Sequence, residues 1–303
     1  MVSYLYCESN RWPPSIVFSV RSVLGIDVGG TKIAVAAVDV ASAGVISREV
    51  IPTRTSRGGA GVLDDCRSLA ERHMRVDTVG IGIGVCELVG LDGRVHSAYS
   101  FDWRPLDVRG RFEDLAPCTI ESDARTGAIA ELRLGSGRSD NSFLFVGVGT
   151  GVSAALVEHG DVRCGARGNA IFIGDPELER RSGGGALAKE YGAGLTEAFA
   201  DSRFVPRLRA AAADVGASIG VAVNILDPQR IVIGGGLGNN LEYFQWLTDG
   251  IRGAIYAEDT RRLRIDRSEL GSEAGVLGAA LTAVDRYNAV ESHPGENSPS
   301  NRQ

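Results

Sequence analysis

Leu24-Gly25-Ile26-Asp27-Val28-Gly29-Gly30-Thr31-Lys32 is the stretch on which the reading of this chain turns. An apolar run from Arg21 ends in an acid, passes through a tight glycine turn and continues as a second apolar run over residues 33–38. Strand, glycine turn and strand predict a β-hairpin. The pattern returns in mid-chain. Phe143-Leu144-Phe145-Val146 is followed by Gly147-Val148-Gly149-Thr150-Gly151 and then by an apolar run over residues 152–157. Aligning Thr31 with Thr150 places Gly30 on Gly149 and superimposes the flanking runs. An internal duplication of this kind predicts two domains of similar design.

Between and after the hairpins, strand and helix patterns alternate. A helix is expected over residues 61–75, a strand over 78–85, a short strand at 118–120 and a helix over 124–134. A long apolar helix over residues 210–226 is stopped by Asp227-Pro228. A buried strand over 230–233 then leads into Gly234-Gly235-Gly236. The last helix spans residues 274–287. The alternation makes both domains α/β. The expected division is a flexible extension at residues 1–22, an N-terminal α/β domain at 23–122 completed by the helix 274–287, and a C-terminal α/β domain at 123–273. Residues 290–303, rich in Ser, Pro and Asn, form a disordered tail.

The bulk composition narrows the function classes. With 303 residues, 44% hydrophobic and 23% charged, the chain has the balance of a soluble protein with room for two cores. A net charge of −6 argues against nucleic acid as a partner, which needs a basic surface. No apolar run reaches membrane-spanning length. Glu8, Arg11, Pro13 and Pro14 interrupt any signal-peptide core. Five scattered cysteines, odd in number and without a C-x-x-C pair, form neither a disulfide framework nor a zinc site. Reduced thiols point to a cytoplasmic protein. The histidines have no metal-ligand spacing.

A glycine turn between strands lets backbone N–H groups converge and a phosphate approach closely. Hairpin turns use glycine anyway, so one such turn says little. Two related turns, each with a threonine after the glycine, and a third glycine cluster after a strand describe a nucleotide lying in a cleft between two domains. The candidate phosphate contacts are Gly29, Gly30, Thr31, Lys32, Gly149, Thr150, Gly151, Gly234, Gly235 and Gly236. Lys32 and Lys189 are the only lysines in an otherwise arginine-based positive set. A carboxylate beside a phosphate site is repulsive unless a cation intervenes, so Asp27 is read as a Mg2+ ligand, directly or through water. Its plainer role is to cap the turn.

These residues resemble the ROK family of sugar kinases and repressors, over nearly the whole stretch from Val23 to Thr282. The first glycine turn is similar to the family's first phosphate loop and Gly147-Val148-Gly149-Thr150-Gly151-Val152 to its second. The run from Asn224 through Asp227-Pro228 and Gly234-Gly235-Gly236 to Leu237 is similar to the segment that holds adenosine. Ile120-Glu121-Ser122-Asp123-Ala124-Arg125 resembles the family's V-E-N-D-A-N, whose aspartate is the general base; here it is Asp123. A carboxylate there takes a hydroxyl proton as the γ-phosphoryl group transfers, although an aspartate at this point also suits a helix N-cap. The resemblance implies the two-domain sugar-kinase/actin/Hsp70-type ATPase fold, ribonuclease-H-like with an interdomain cleft. It further implies ATP and Mg2+ as cofactors, a sugar-like acceptor and a homodimer.

The departures are as informative. The family's G-x-A-G-E-x-G-H reads Gly168-Asn169-Ala170-Ile171-Phe172-Ile173-Gly174-Asp175, with Phe172 for the glutamate and Asp175 for the histidine. The cysteine-rich zinc loop that follows in the family is absent, so no structural zinc is expected. G-x-G-x-P-G reads Gly82-Ile83-Gly84-Val85-Cys86-Glu87, Ser122 replaces an asparagine, and Tyr99 stands for a sugar-contacting asparagine. The phosphate machinery is kept and the acceptor pocket rewritten, which moves substrate choice towards a carbasugar, a cyclitol, or a deoxy or amino sugar. The candidate acceptor contacts are Glu87, Ser100, Asp102, Ser122 and Asp175. Three other readings stand beside this one. A repressor needs a helix-turn-helix, for which 22 residues before Val23 are too few. A non-catalytic sugar or nucleotide sensor would keep the loops without turnover, and a kinase could serve an acyl or amino acceptor.

Overall fold

The computed structural model describes residues 21–171 and 177–292. The first twenty residues of the expected extension, Phe172 and Asp175, and tail residues 293–303 lie outside them. The chain opens with β1 (Ser22–Val28), β2 (Lys32–Asp39) and β3 (Val45–Pro52), an antiparallel meander. Helix α1 (Gly58–His73) follows, then β4 (Thr78–Val85) and β5 (Cys118–Ser122), which extend the sheet in parallel with β1. The strand order is β3-β2-β1-β4-β5. Helix α2 begins directly after β5 and runs Asp123–Arg133.

The second sheet repeats this plan. The strands β6 (Ser142–Val148) and β7 (Val152–Glu158) form the second hairpin, and the two-residue β8 (Asp161–Val162) adds to its edge. Three short helices follow, α3 (Leu178–Ser182), α4 (Gly184–Tyr191) and α5 (Leu195–Ala200), and then the long α6 (Val205–Leu226). Asp227 stops α6 in a left-handed conformation, φ 42°, and donates its N–H to the Val223 carbonyl. The strand β9 (Arg230–Gly234) lies parallel to β6, and after α7 (Leu241–Ala254) β10 (Arg264–Arg267) lies parallel to β9. The order is β10-β9-β6-β7-β8. By length and apolarity α6 resembles a membrane span. It buries Leu208, Ala211, Ala212, Val215, Ile219 and Val223 in the core of this unit. Gly216, Gly220 and Gly250 lie at its contact with α7, where a side chain on any of them would meet the backbone of the other helix.

The last helix, α8 (Ala274–Ser292), returns to the first sheet. It runs five residues past its expected end, into the stretch read as tail, because no helix breaker occurs before Pro294. The chain thus forms two compact units among the described residues, one from 21–126 with 275–292 and one from 127–274. The division falls inside α2, so Asp123 groups with the N-terminal unit and not with residues 127–273. Packing explains this: the first turn of α2 reaches the N-terminal sheet through Thr126, which lies against Gly84 and Gly278.

Strand alternation sorts the N-terminal sheet into two faces. Leu24, Ile26 and Val28 of β1 and Ile81, Ile83 and Val85 of β4 join α1 residues Val62, Leu63, Cys66 and Leu69 in one apolar core. The opposite face carries Gly25 and Asp27 of β1 and Gly80, Gly82 and Gly84 of β4. A Cβ on Gly25 or Gly82 would overlap backbone of α8 at Val276 or Ala279. The alternating Gly80-Ile81-Gly82-Ile83-Gly84 is therefore a two-sided code: branched side chains for the core and bare backbone for a helix. Across the same contact, the hydroxyls of Thr119 and Thr282 lie 2.7 Å apart and Arg286 donates to the Cys118 carbonyl at 2.9 Å.

Candidate active site

The candidate acids of the N-terminal unit lie at the carboxyl ends of three neighbouring parallel strands, where ligands gather in open α/β sheets. Val85 of β4 pairs with Val28 of β1 on one side and Ser122 of β5 on the other. Asp27, Cys86 and Asp123 thus share one sheet edge, with β1 and β5 two strand spacings or about 10 Å apart. The Cys86 N–H donates to the Val28 carbonyl at 3.1 Å. Burial pushes the Cys86 thiol well above its usual range, and the charges of Asp123, Glu87 and Asp27 add to the rise.

Asp27 is half-buried on the glycine face, where its carboxylate lies against Gly275 in the first turn of α8. Desolvation pushes its pKa from 3.8 up to about 6, with the Lys32 charge opposing. A carboxylate held this way, beside a turn that exposes backbone amides, fits a divalent cation that keeps water and phosphate oxygens as its other ligands. The β1–β2 turn is four residues long, with Val28 paired to Ile33 and the Gly29 N–H donating to the Lys32 carbonyl at 2.9 Å. Thr53, just past β3, braces it: its hydroxyl donates to the Gly29 carbonyl at 2.7 Å and its N–H to the Thr31 carbonyl at 2.9 Å.

Asp123 is half-buried at the start of α2. One carboxylate oxygen accepts from the Ala124 N–H at 2.6 Å, and the Thr126 hydroxyl donates to the Asp123 carbonyl at 2.9 Å. The residue therefore serves the helix start as well as facing the sheet edge.

The acceptor candidates divide. Ser100 is half-buried within 3.5 Å of the Cys86 sulfur. Asp102 directs both carboxylate oxygens to Arg104 at 2.8 Å. Glu87 and Ser122, expected as acceptor contacts, are 1% and 0% exposed and are engaged with protein groups. The Ser122 hydroxyl donates to the Glu87 carbonyl at 3.0 Å and accepts from the Val89 N–H at 3.2 Å. Asp175 lies outside the described residues. Sequence reasoning passed over Arg125, which is buried, donates to Glu121 at 2.6 Å and to the Val89 carbonyl at 2.7 Å. Its signal was the i, i+4 spacing of Glu121 and Arg125.

In the C-terminal unit the glycine candidates come together. The β6–β7 turn is three residues long, one fewer than its counterpart, with Val148 paired to Val152 and the Gly149 N–H donating to the Gly151 carbonyl at 2.9 Å. Gly184 and Gly185 donate to the carbonyls of Gly149 and Thr150 at 2.9 and 2.8 Å. Leu237 and Gly238 both donate to the Val148 carbonyl at 3.0 Å. Gly235 is left-handed, φ 84°, and packs against the backbone of Val148, where no side chain fits. Glu179 of α3, also unforeseen, accepts from the Val152 N–H at 3.2 Å and lies beside Gly151.

The ROK family model matches residues 23–186 and 195–286. The chain is 25% identical to a glucokinase of Halalkalibacterium halodurans, over 89% of this chain and 97% of that one. It is 26% identical to a kanosamine kinase of Amycolatopsis mediterranei, over 86% and 95%. Its fold matches the crystal structure of a ROK family glucokinase from Streptomyces griseus in complex with glucose and AMPPNP, at TM-score 0.74 and 23% identity over 87% of this chain and 99% of that one. The two mixed sheets with their helices are the sugar-kinase/actin/Hsp70-type ATPase fold.

Proposed function

The chain belongs to the ROK family, and on that premise we propose that it is an ATP-dependent kinase that phosphorylates a hydroxyl of a sugar or sugar-like polyol. The observation that carries the proposal is the placing of Asp27 and Asp123 at the ends of β1 and β5, on either side of Cys86. Asp123 accepts the proton of the acceptor hydroxyl as its oxygen attacks the γ-phosphorus of ATP; the bond to the leaving ADP oxygen breaks as the new P–O bond forms. The turn amides of Gly29, Gly30 and Thr31, with Lys32, are assigned to phosphate oxygens. The same role is assigned to Gly149, Thr150 and Gly151, and the Gly234–Gly236 cluster is assigned to the nucleotide. Asp27 would hold Mg2+, which when bound neutralises charge on the phosphates.

The acceptor we favour is a modified sugar, an amino or deoxy sugar or a cyclitol. Support comes from the departures at Cys86, Glu87, Tyr99 and Ser122 and from the similarity to a kanosamine kinase. We place the protein in the cytoplasm, acting without nucleic acid or membrane. A homodimer would cover the exposed Val221 and Ile225 of α6 and the nearby Tyr256.

The test is ADP release from MgATP with hexoses, amino sugars (kanosamine among them) and cyclitols, run beside Asp123→Ala. Turnover with one class, lowered about 10²–10⁴-fold in Asp123→Ala with ATP binding intact, is the expected result. Unchanged turnover in the variant would remove Asp123 as the base. ATP binding with no turnover of any acceptor would favour a sensor.

A further inference from the structure

We propose that Glu87 is a positioning residue that sets acceptor choice from behind the site, by anchoring the loop of residues 97–101 beside Asp123. The proposal rests on the kinase reading above. Glu87 directly follows Cys86, at the end of β4, and its side chain is buried. Oε2 accepts from the Ser97 hydroxyl at 2.5 Å and from the Tyr99 N–H at 2.8 Å. Oε1 accepts from the Ser100 N–H at 2.6 Å and from the Phe101 N–H at 3.3 Å. Three successive backbone amides and a hydroxyl thus converge on one carboxylate, the arrangement by which a backbone nest binds an anion. Here the anion is part of the chain.

The other end of the arrangement is tied to the catalytic strand. Ser122, the residue before Asp123, holds the backbone of Glu87 and Val89 through its hydroxyl. Arg125, two residues after Asp123, holds the Val89 carbonyl and is itself fixed by Glu121. The Ser97 hydroxyl, besides donating to Glu87, accepts from the Leu88 N–H at 2.7 Å. A continuous set of hydrogen bonds therefore runs from the residues flanking Asp123, through the segment 87–89, into the loop that displays Ser100 beside Cys86 and Tyr99 at 64% exposure. Glu87 touches no acceptor. It fixes where Ser100 and Tyr99 stand relative to the base. The glutamate occupies a position where the resembled pattern has glycine, which offers no group to these amides.

Glu87→Gln is the first variant, because it keeps the volume and replaces one accepting oxygen with a donor that opposes the amides. Hydrogen exchange at amides 99–101 is expected to speed up roughly tenfold with the rest of the sheet unchanged. The acceptor KM is expected to rise roughly tenfold, with the KM for ATP and the order of preference among nucleotides held. Glu87→Gly empties the nest, and excess formate, a free carboxylate, is expected to restore both the protection and the acceptor KM. Wild-type exchange and acceptor KM in Glu87→Gln overturn the proposal. So does a loss of protection across the whole N-terminal sheet that formate does not reverse, which would make Glu87 a general stability residue. If the wild-type protein turns over no acceptor, the kinase reading fails on its own. The exchange and formate arms then decide the anchor: focused, formate-reversible deprotection supports it, and no change overturns it.

Discussion

The two glycine hairpins share a plan and differ in how they are equipped. The β1–β2 turn carries charge, Asp27 before it and Lys32 at its end, and is braced by Thr53 through its hydroxyl and its N–H. In the β6–β7 turn the aligned positions are Val146 and Gly151, and most of the bracing is backbone, from the start of α4 through Gly184 and Gly185 and from the loop after β9 through Leu237 and Gly238, with the Glu179 carboxylate accepting from the Val152 N–H. Coulomb attraction falls off slowly with distance, so a charged turn works with loose support. Contacts through backbone amides fail within a few tenths of an ångström, so an uncharged turn needs a tight clamp. One copy of the duplication has been specialised for placing charge and the other for holding shape.

Removing the charge should have the largest effect. Asp27→Asn is expected to lower turnover roughly 100-fold, as loss of a metal-associated carboxylate does. The same variant should stabilise the ligand-free protein. The Asp27 pKa of about 6 in the folded chain lies above its ordinary 3.8, so the native state holds this proton more tightly than the unfolded one. Its ionisation therefore costs stability progressively as pH rises from about 4 to 6, by no more than about 3 kcal/mol above that window. Thermal melts at about pH 7.5 should show Asp27→Asn above wild type, with the difference gone at about pH 4. No gain at the higher pH would mean that Asp27 is not strained by burial.

Tightening the clamp sharpens the contrast. An added Cβ on Gly184 would overlap the Gly149 carbonyl, so Gly184→Ala should cost about 1–3 kcal/mol and raise the KM for ATP. In the first turn, a Cβ on Gly29 meets the Lys32 carbonyl at 3.3 Å, and Gly29→Ala should cost less than about 1 kcal/mol. Equal losses in the two variants would erase the distinction between the turns. A comparably small effect is expected from Thr53→Val, which removes the hydroxyl bond to Gly29 and keeps the backbone bond to Thr31. About 1 kcal/mol of stability and a few-fold rise in the KM for ATP, with kcat unchanged, are the expected outcome.

Both hairpins, the strand β4, the Asp227-Pro228 stop and the glycine cluster after β9 were legible because local pattern and tertiary role agree there. β3 and β10 were passed over. They are outer strands interrupted by polar residues, Ser47-Arg48-Glu49 in one and Arg264, Asp266 and Arg267 in the other, and show no long apolar run. The start of α7 had a readable signal, Asn240, whose side chain accepts from the N–H groups of Glu242 and Tyr243. At the site, Asp27 and Asp123 stand out because each is an acid next to the last residue of a strand, Val28 of β1 and Ser122 of β5. Glu87 and Ser122 read as acceptor ligands because their hydrogen-bond partners, the amides of residues 99–101 and the segment 87–89, arrive only through tertiary folding. Nothing in the order of residues says that an acid is already satisfied.

The close packing of α8 on β1 and β4 has a consequence for synthesis. Residues 127–274 are contiguous and can close their own core as they leave the ribosome. The sheet translated first cannot do so: its glycine face, at Gly25 and Gly82, stays bare until α8 emerges. The half made first is therefore finished last, and a nascent chain halted before α8 would present open strand backbone to chaperones and to other copies of itself.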